Sequence, residues 1–230
     1  MAIDVYLAIT AAEMEKKTQL PPKPAWMSCH FSPGTKGLSN CPRELPEGSV
    51  LILDDSQPIQ GHDPVEVRAQ LIQLLEKNGC SALVLDFQRP DGEDMVLRLM
   101  EGLPCPAIVS ALYKDLSDGP LLIPPVPPHK KLSDHLAPWT GRRLWLELAA
   151  EGSQITLTEA GAQIRDWSPE GTGTHHHPRL HCHYDIVLSP GEAVFHLQRR
   201  DEDLKELLQE GERLGITAAL GLAREFPEFG

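Results

Sequence analysis

Asn78-Gly79-Cys80-Ser81-Ala82-Leu83-Val84-Leu85-Asp86-Phe87-Gln88-Arg89-Pro90 is a helix stop, a buried strand and a burst of polar residues in immediate succession. Near-continuous apolar residues, rather than alternating ones, mark a strand covered on both faces, as in a parallel sheet. Such a strand delivers Asp86, Gln88 and Arg89 at its carboxyl end, where α/β folds place their sites. The stretch therefore predicts both the fold class and the location of the chemistry.

Working outward, Asp63 and Pro64 open a helix whose Val65, Val67, Leu71, Leu74 and Leu75 recur at helical spacing until Asn78-Gly79 ends it. Before it, Val5–Thr10, Ala25–Phe31 and Val50–Leu53 read as strands, the last closed by Asp54-Asp55. Ala11–Thr18 reads as a helix and 32–48, with its turn at Pro33-Gly34, as a long loop over one mouth of the sheet. After the quoted stretch, a helix over Gly92–Leu103 leads to strands at Ala107–Leu112, Leu121–Val126 and Arg143–Leu148, with a short helix at Lys131–Leu136. Residues 150–200 switch to strict alternation with turn signals, at Gln154–Thr158, Gly161–Trp167, Tyr184–Leu188 and Ala193–Gln198, which predicts antiparallel hairpins. An amphipathic helix, Asp203–Leu214, and a last apolar strand, Ile216–Leu222, complete the chain.

Eight strands are thus available for the main sheet, with several connections too short for a full helix. The expected fold is α/β: a degenerate (β/α)8 TIM-type barrel with a small antiparallel β insertion after strand seven. One domain over 1–230, with the insertion at 150–200, accounts for the 230 residues. No Gly-rich dinucleotide fingerprint follows any strand, which weighs against an open doubly wound sheet.

From Ser81 to Pro90 the fourth strand resembles the fourth-strand signature of the family 18 glycoside hydrolases, the chitinase-like barrels, whose motif runs D-G-x-D-x-D-x-E. Asp86 takes the last aspartate, Phe87 the aromatic position and Pro90 the closing proline. Ser81 and Val84 stand at the two earlier aspartate positions, and Gln88 falls where the family keeps its catalytic glutamate. The resemblance implies a barrel that binds a saccharide at its carboxyl-terminal mouth. The Gln88 amide has no proton to donate near neutral pH, and general acid catalysis typically supplies ~10²–10⁴ in rate. A chitinase of the usual mechanism is therefore not expected, although Asp86 and Gln88 remain able to hydrogen-bond sugar hydroxyls.

The leading expectation is a glycosidase-like barrel that binds a carbohydrate or polar small molecule. Asp86 and Gln88 sit at its centre, Asp54, Asp55 and Glu147 form an acidic wall, and His30 and Tyr113 lie at the rim. The rival is a hydrolase, metal-assisted or carboxylate-dependent, using Asp86 with Glu147 or Asp55; each acid otherwise caps a helix or pairs with a nearby arginine. A third possibility makes the hairpins an interaction surface.

His175 to His183 is the densest histidine run. His181 and His183 are its weak candidates for metal binding, in what reads as a solvated hairpin loop remote from the mouth. His62, after the third strand, and each of Trp26, Trp139, Trp145 and Trp167 read first as packing or loop residues, with Trp139 placed at the opposite rim. No cofactor is called for. The formal charge of -12 argues against nucleic acid and anionic membranes as partners. No apolar run approaches the ~20 residues that span a bilayer. Five cysteines without a C-x-x-C pair, and an N-terminus without a signal-peptide pattern, lead to the expectation of a cytoplasmic protein.

Overall fold

The structure, a computed structural model, describes residues 3–9, 24–32, 37–149, 153–158 and 173–226. The expected helix at 11–18, the turn at Pro33-Gly34 and the strand at 161–167 lie outside the described residues. All eight strands expected for the main sheet are present: β1 (Asp4–Ile9), β2 (Pro24–Phe31), β4 (Val50–Asp54), β5 (Ala82–Asp86), β6 (Ala107–Ser110), β7 (Leu121–Ile123), β8 (Leu144–Glu147) and β13 (Ile216–Leu222). A two-residue strand, β3 (Leu38–Ser39), adds to β2 antiparallel and gives the long loop one regular segment.

The resulting nine-stranded sheet runs β1-β13-β8-β7-β6-β5-β4-β2-β3. Apart from β3, every pairing is parallel, and β2 also pairs with β1 through Leu7–Pro24, Ala8–Ala25 and Ile9–Trp26. The fold is thus mixed α/β, with a parallel-rich sheet that curls back upon itself.

Strand periodicity sorts the side chains into two cores. One face carries Ala8, Ala25, Val50, Ile52, Ala82, Val84, Ile108, Leu122, Trp145, Ala218 and Leu220, which pack together inside the curl. Four of these are alanines, and their small volume lets facing strands approach. Trp145 fills the remaining space and stacks on Tyr6, ring centroids 5.1 Å apart. The alternate positions, including Leu51, Leu53, Leu83, Leu85, Val109 and Leu146, pack outward with the helices in the larger core. Each such side chain contributes roughly 1.5–3 kcal/mol of burial.

Helix α1 (Pro64–Asn78) starts where its cap signals put it: the Asp63 carboxylate accepts from Val65 N at 2.9 Å. It stops at Gly79, whose φ of 57° is the left-handed conformation that glycine adopts without steric cost. Asn78 ties the long loop down by accepting from Leu45 N at 2.8 Å and donating to Leu74 O at 2.9 Å. Helices α2 (Glu93–Met100) and α3 (Leu132–Leu136) are shorter than their patterns suggested, and β7 ends at Ile123 because Pro124 and Pro125 cannot extend the ladder.

Between β8 and helix α4 (Asp201–Arg213) lies a four-stranded antiparallel sheet of order β10-β11-β12-β9, formed by β9 (Ser153–Thr158), β10 (Thr174–His177), β11 (Cys182–Ser189) and β12 (Glu192–Gln198). Here the histidine run departs from its expected place in a solvated loop. Residues 174–177 form strand β10, paired with β11 from Thr174–Asp185 to His177–Cys182. The run interrupts any simple alternation, which is why the pattern hid the strand.

Candidate functional site: an acidic cup at the carboxyl ends of the strands

The inward-facing positions that carry Val50 and Ile52, Ala82 and Val84, and Trp145 continue one step further to Asp54, Asp86 and Glu147. The periodicity that fills the curl with apolar groups thus sets a layer of acids on top of it. Asp54 and Asp86 are register partners on adjacent strands, and Glu147 joins them from β8. All three line one cavity of about 60 Å³ with Ala8, Ile52, Leu148, Leu220, Gly221 and Leu222. A second cavity, of about 310 Å³, shares Glu147 and is walled by Gln88, Ser110, Ala111, Leu112, Leu122, Pro124 and Trp139. This lies at the lower end of the ~300–1,000 Å³ typical of small-ligand sites. Trp139 therefore faces the cup and not the opposite rim.

Electrostatics distinguish the three acids. Glu147 is largely buried, and that burial, reinforced by Asp86 and Glu225, pushes its carboxyl up to about 7. Asp86 is also raised, by burial first and then by Asp54 and Asp55, while the Gln88 amide opposes the shift. That amide donates to Asp86 Oδ1 at 2.5 Å, so Asp86 and Gln88 act as one polar unit. Asp54 accepts from Ser56 N at 2.9 Å.

Asp55 has a different task. It is 3% exposed and lines neither cavity. Its two oxygens accept from the backbone N–H groups of Gln88 (3.0 Å) and Arg89 (2.9 Å), fixing the turn that carries Gln88 to the mouth. Tyr113 is buried instead of standing at the rim. Its hydroxyl donates to Arg89 O and accepts from Gly92 N at 3.1 Å, closing the same turn from the other side. His30 is placed by the β2–β3 pairing, where its carbonyl accepts from Ser39 Oγ at 3.2 Å, and it lines neither cavity. His62 packs its ring 4.9 Å from that of Phe31.

His181 does lie in the β10–β11 turn and His183 in β11, but neither side chain is solvated. Both face helix α4: His181 Nε2 lies 2.5 Å from Glu210 Oε2, and His183 Nδ1 lies 2.8 Å from Asp203 Oδ2. Among the described residues no group of three or more histidine, cysteine or acidic side chains is arranged to hold a metal ion. Ala137-Pro138 suggests a strand start, but a 3-10 turn at Ala137–Trp139 instead makes Trp139 a wall of the cavity.

No family model and no curated protein matches the sequence. Solved structures do match in fold. The spore cortex-lytic enzyme SleL of Bacillus cereus aligns with 99% of this chain and 72% of its own at a TM-score of 0.59 and 11% identity. A chitinase from Chromobacterium violaceum covers 99% of this chain and 96% of its own, with TM-score 0.57 and 11% identity. A glycoside hydrolase family 18 N-acetylglucosaminidase from Paenibacillus barengoltzii covers 96% and 94%, with TM-score 0.51 and 8% identity. The fold is glycosidase-like. Identities this low speak to the fold alone, and leave the chemistry of the cup to be argued from its own residues. No helix among the described residues is long and apolar enough to cross a membrane.

Proposed function

We propose that this chain is a degenerate (β/α)8 barrel, one domain over 1–230 with an antiparallel insertion within 150–200, that binds a saccharide in the cup at its carboxyl-terminal mouth. The observation that carries this reading is the convergence of Asp54, Asp86, Gln88 and Glu147 with the Trp139 ring around cavities at the strand ends. Carboxylates and an amide accept and donate hydrogen bonds to hydroxyls, and an aromatic face stacks against the C–H face of a sugar. The glycosidase-like fold of the neighbours supports the choice of a saccharide over other polar ligands.

In this reading the chain lacks the usual chitinase acid. Gln88 occupies that position and spends its amide N–H on Asp86, so it orients and recognises and transfers no proton. Titration calorimetry with short β-1,4-linked oligosaccharides tests the proposal. The expected result is saturable binding that weakens at least about tenfold in Asp86→Ala, consistent with loss of a charge-assisted hydrogen bond. Turnover of the same oligosaccharides should stay at least about 10²-fold below that of a barrel with the glutamate in place. Binding untouched by Asp86→Ala, or turnover at the level of an ordinary chitinase, would overturn it.

A further inference from the structure

The polar lining of the cup is lopsided in charge. Asp54, Asp86 and Glu147 are acids, Gln88 and Ser110 are neutral, and among the described residues no lysine, arginine or histidine lines either cavity. Asp54 and Asp86 each receive a donor from the protein. Glu147 receives none among the described residues, although it lines both cavities and is largely buried beside two further acids. An ionised, largely buried carboxylate without a partner is costly, so it either keeps a proton or takes a positive charge from outside.

The geometry also limits what that charge can be. A bare divalent cation requires several oxygens at about 2.0–2.6 Å from one point, and the acids here are not grouped that closely. An ammonium group needs only three hydrogen-bond acceptors spread around it, at ordinary donor–acceptor distances. The Trp139 wall and the Asp86–Gln88 pair remain suited to a sugar ring.

We infer that the cup selects an amino sugar whose amine is free and protonated over the N-acetylated form of the same sugar, with Glu147 and Asp86 receiving the ammonium. The inference rests on the saccharide-binding reading above and adds to it a substrate class. An N-acetyl group removes the positive charge and adds bulk beside the buried acids. A free amine supplies charge-assisted hydrogen bonds to both, which are roughly twice as strong as neutral ones. Trp139 shares the larger cavity with Glu147, where an aromatic face favours a cation.

Calorimetric titration of the intact protein with a glucosamine tetramer and an N-acetylglucosamine tetramer, side by side near neutral pH, decides it. The glucosamine tetramer should bind at least about tenfold more tightly, the gain expected of one charge-assisted bond in a low-dielectric site. Glu147→Gln and Asp86→Asn should each shrink that preference to within about threefold, because the glucosamine tetramer loses more affinity than the acetylated one. Thermal unfolding of both variants shows that the fold persists. Equal binding of the two tetramers, tighter binding of the acetylated one, or a preference that survives both substitutions would overturn the inference and leave the saccharide reading standing. If neither tetramer binds, the saccharide reading falls and the inference with it.

Discussion

Two regions of this molecule gather carboxylates, and they treat them in opposite ways. Where the antiparallel sheet meets helix α4, Asp203 is fully buried and matched on every side: His183 Nδ1 lies 2.8 Å away, Arg200 N donates at 2.8 Å and His176 Nε2 lies at 3.4 Å. Glu206 and Glu210 face His176 and His181 in the same contact. Arg199 completes this seam by donating to the carbonyls of Val126, Pro127, Leu180 and His181, which links the small sheet to the loop after β7. At the strand mouth, by contrast, burial first and neighbouring acids second raise Asp86 and Glu147, and of the two only Asp86 receives a donor, from Gln88, among the described residues. Matched acids hold a structure together; unmatched ones store a demand that a ligand can meet.

Breaking a matched acid should cost most. Asp203→Ala leaves His183 and the first turn of α4 without their acceptor, and removal of one partner from a buried pair typically costs about 3–5 kcal/mol. Urea unfolding should show a loss of that order, and hydrogen exchange should show β10 and β11 loosening before the main sheet.

Removing an unmatched acid should do the reverse. The Glu147 carboxyl rises from an ordinary 4.5 to about 7 in the fold. The folded protein therefore holds this proton more tightly than the unfolded chain does. The stability it contributes is fully present below about pH 4.5 and is lost as pH rises through about 7. At about 1.4 kcal/mol per pH unit, the penalty above neutrality is up to about 3 kcal/mol before screening. Glu147→Gln should thus stabilise the protein by about 1–3 kcal/mol near pH 8 and change little near pH 4, as read by denaturant midpoints at the two pH values.

Asp55→Asn offers an intermediate case, because Asp55 lies beside the cup but is matched by two backbone donors. Weakening those bonds should cost about 1–2 kcal/mol and also reduce saccharide affinity, since Gln88 loses the turn that aims it. His181→Gln should be the mildest change. Its acid partners Glu206 and Glu210 are substantially exposed, so the loss is expected to stay below about 1 kcal/mol and saccharide affinity should not move.

The sequence made the strand mouth legible because its signals are local. Asp86 follows directly on Ala82-Leu83-Val84-Leu85, and the Asp63-Pro64 start and Gly79 stop of α1 are short-range chemistry that the structure repeats. Knowing only that strands end in acids, however, cannot separate Asp54, which lines the cavity, from Asp55, whose carboxylate turns to backbone donors near residue 88. That distinction depends on which face of the sheet each residue occupies, and hence on register with β5. Tyr113 and Trp139 were harder still, because 3-10 turns after β6 and α3 set their directions and carry no strong periodic signal. Strand β10 is hidden in the histidine run because the acids of α4 that the run faces are about twenty or more residues away and meet it only through tertiary packing.

Carbon-13 NMR titration of the Glu147 carboxyl, in the free protein and with the glucosamine tetramer present, addresses most directly whether the mouth keeps an acid waiting for a ligand. The midpoint should lie near 7 in the free protein and fall when the ammonium arrives, because a nearby positive charge favours the ionised form. A midpoint near the ordinary 4.5 of glutamate, unmoved by the saccharide, would show that Glu147 is solvated like any surface acid and that the cup makes no such demand.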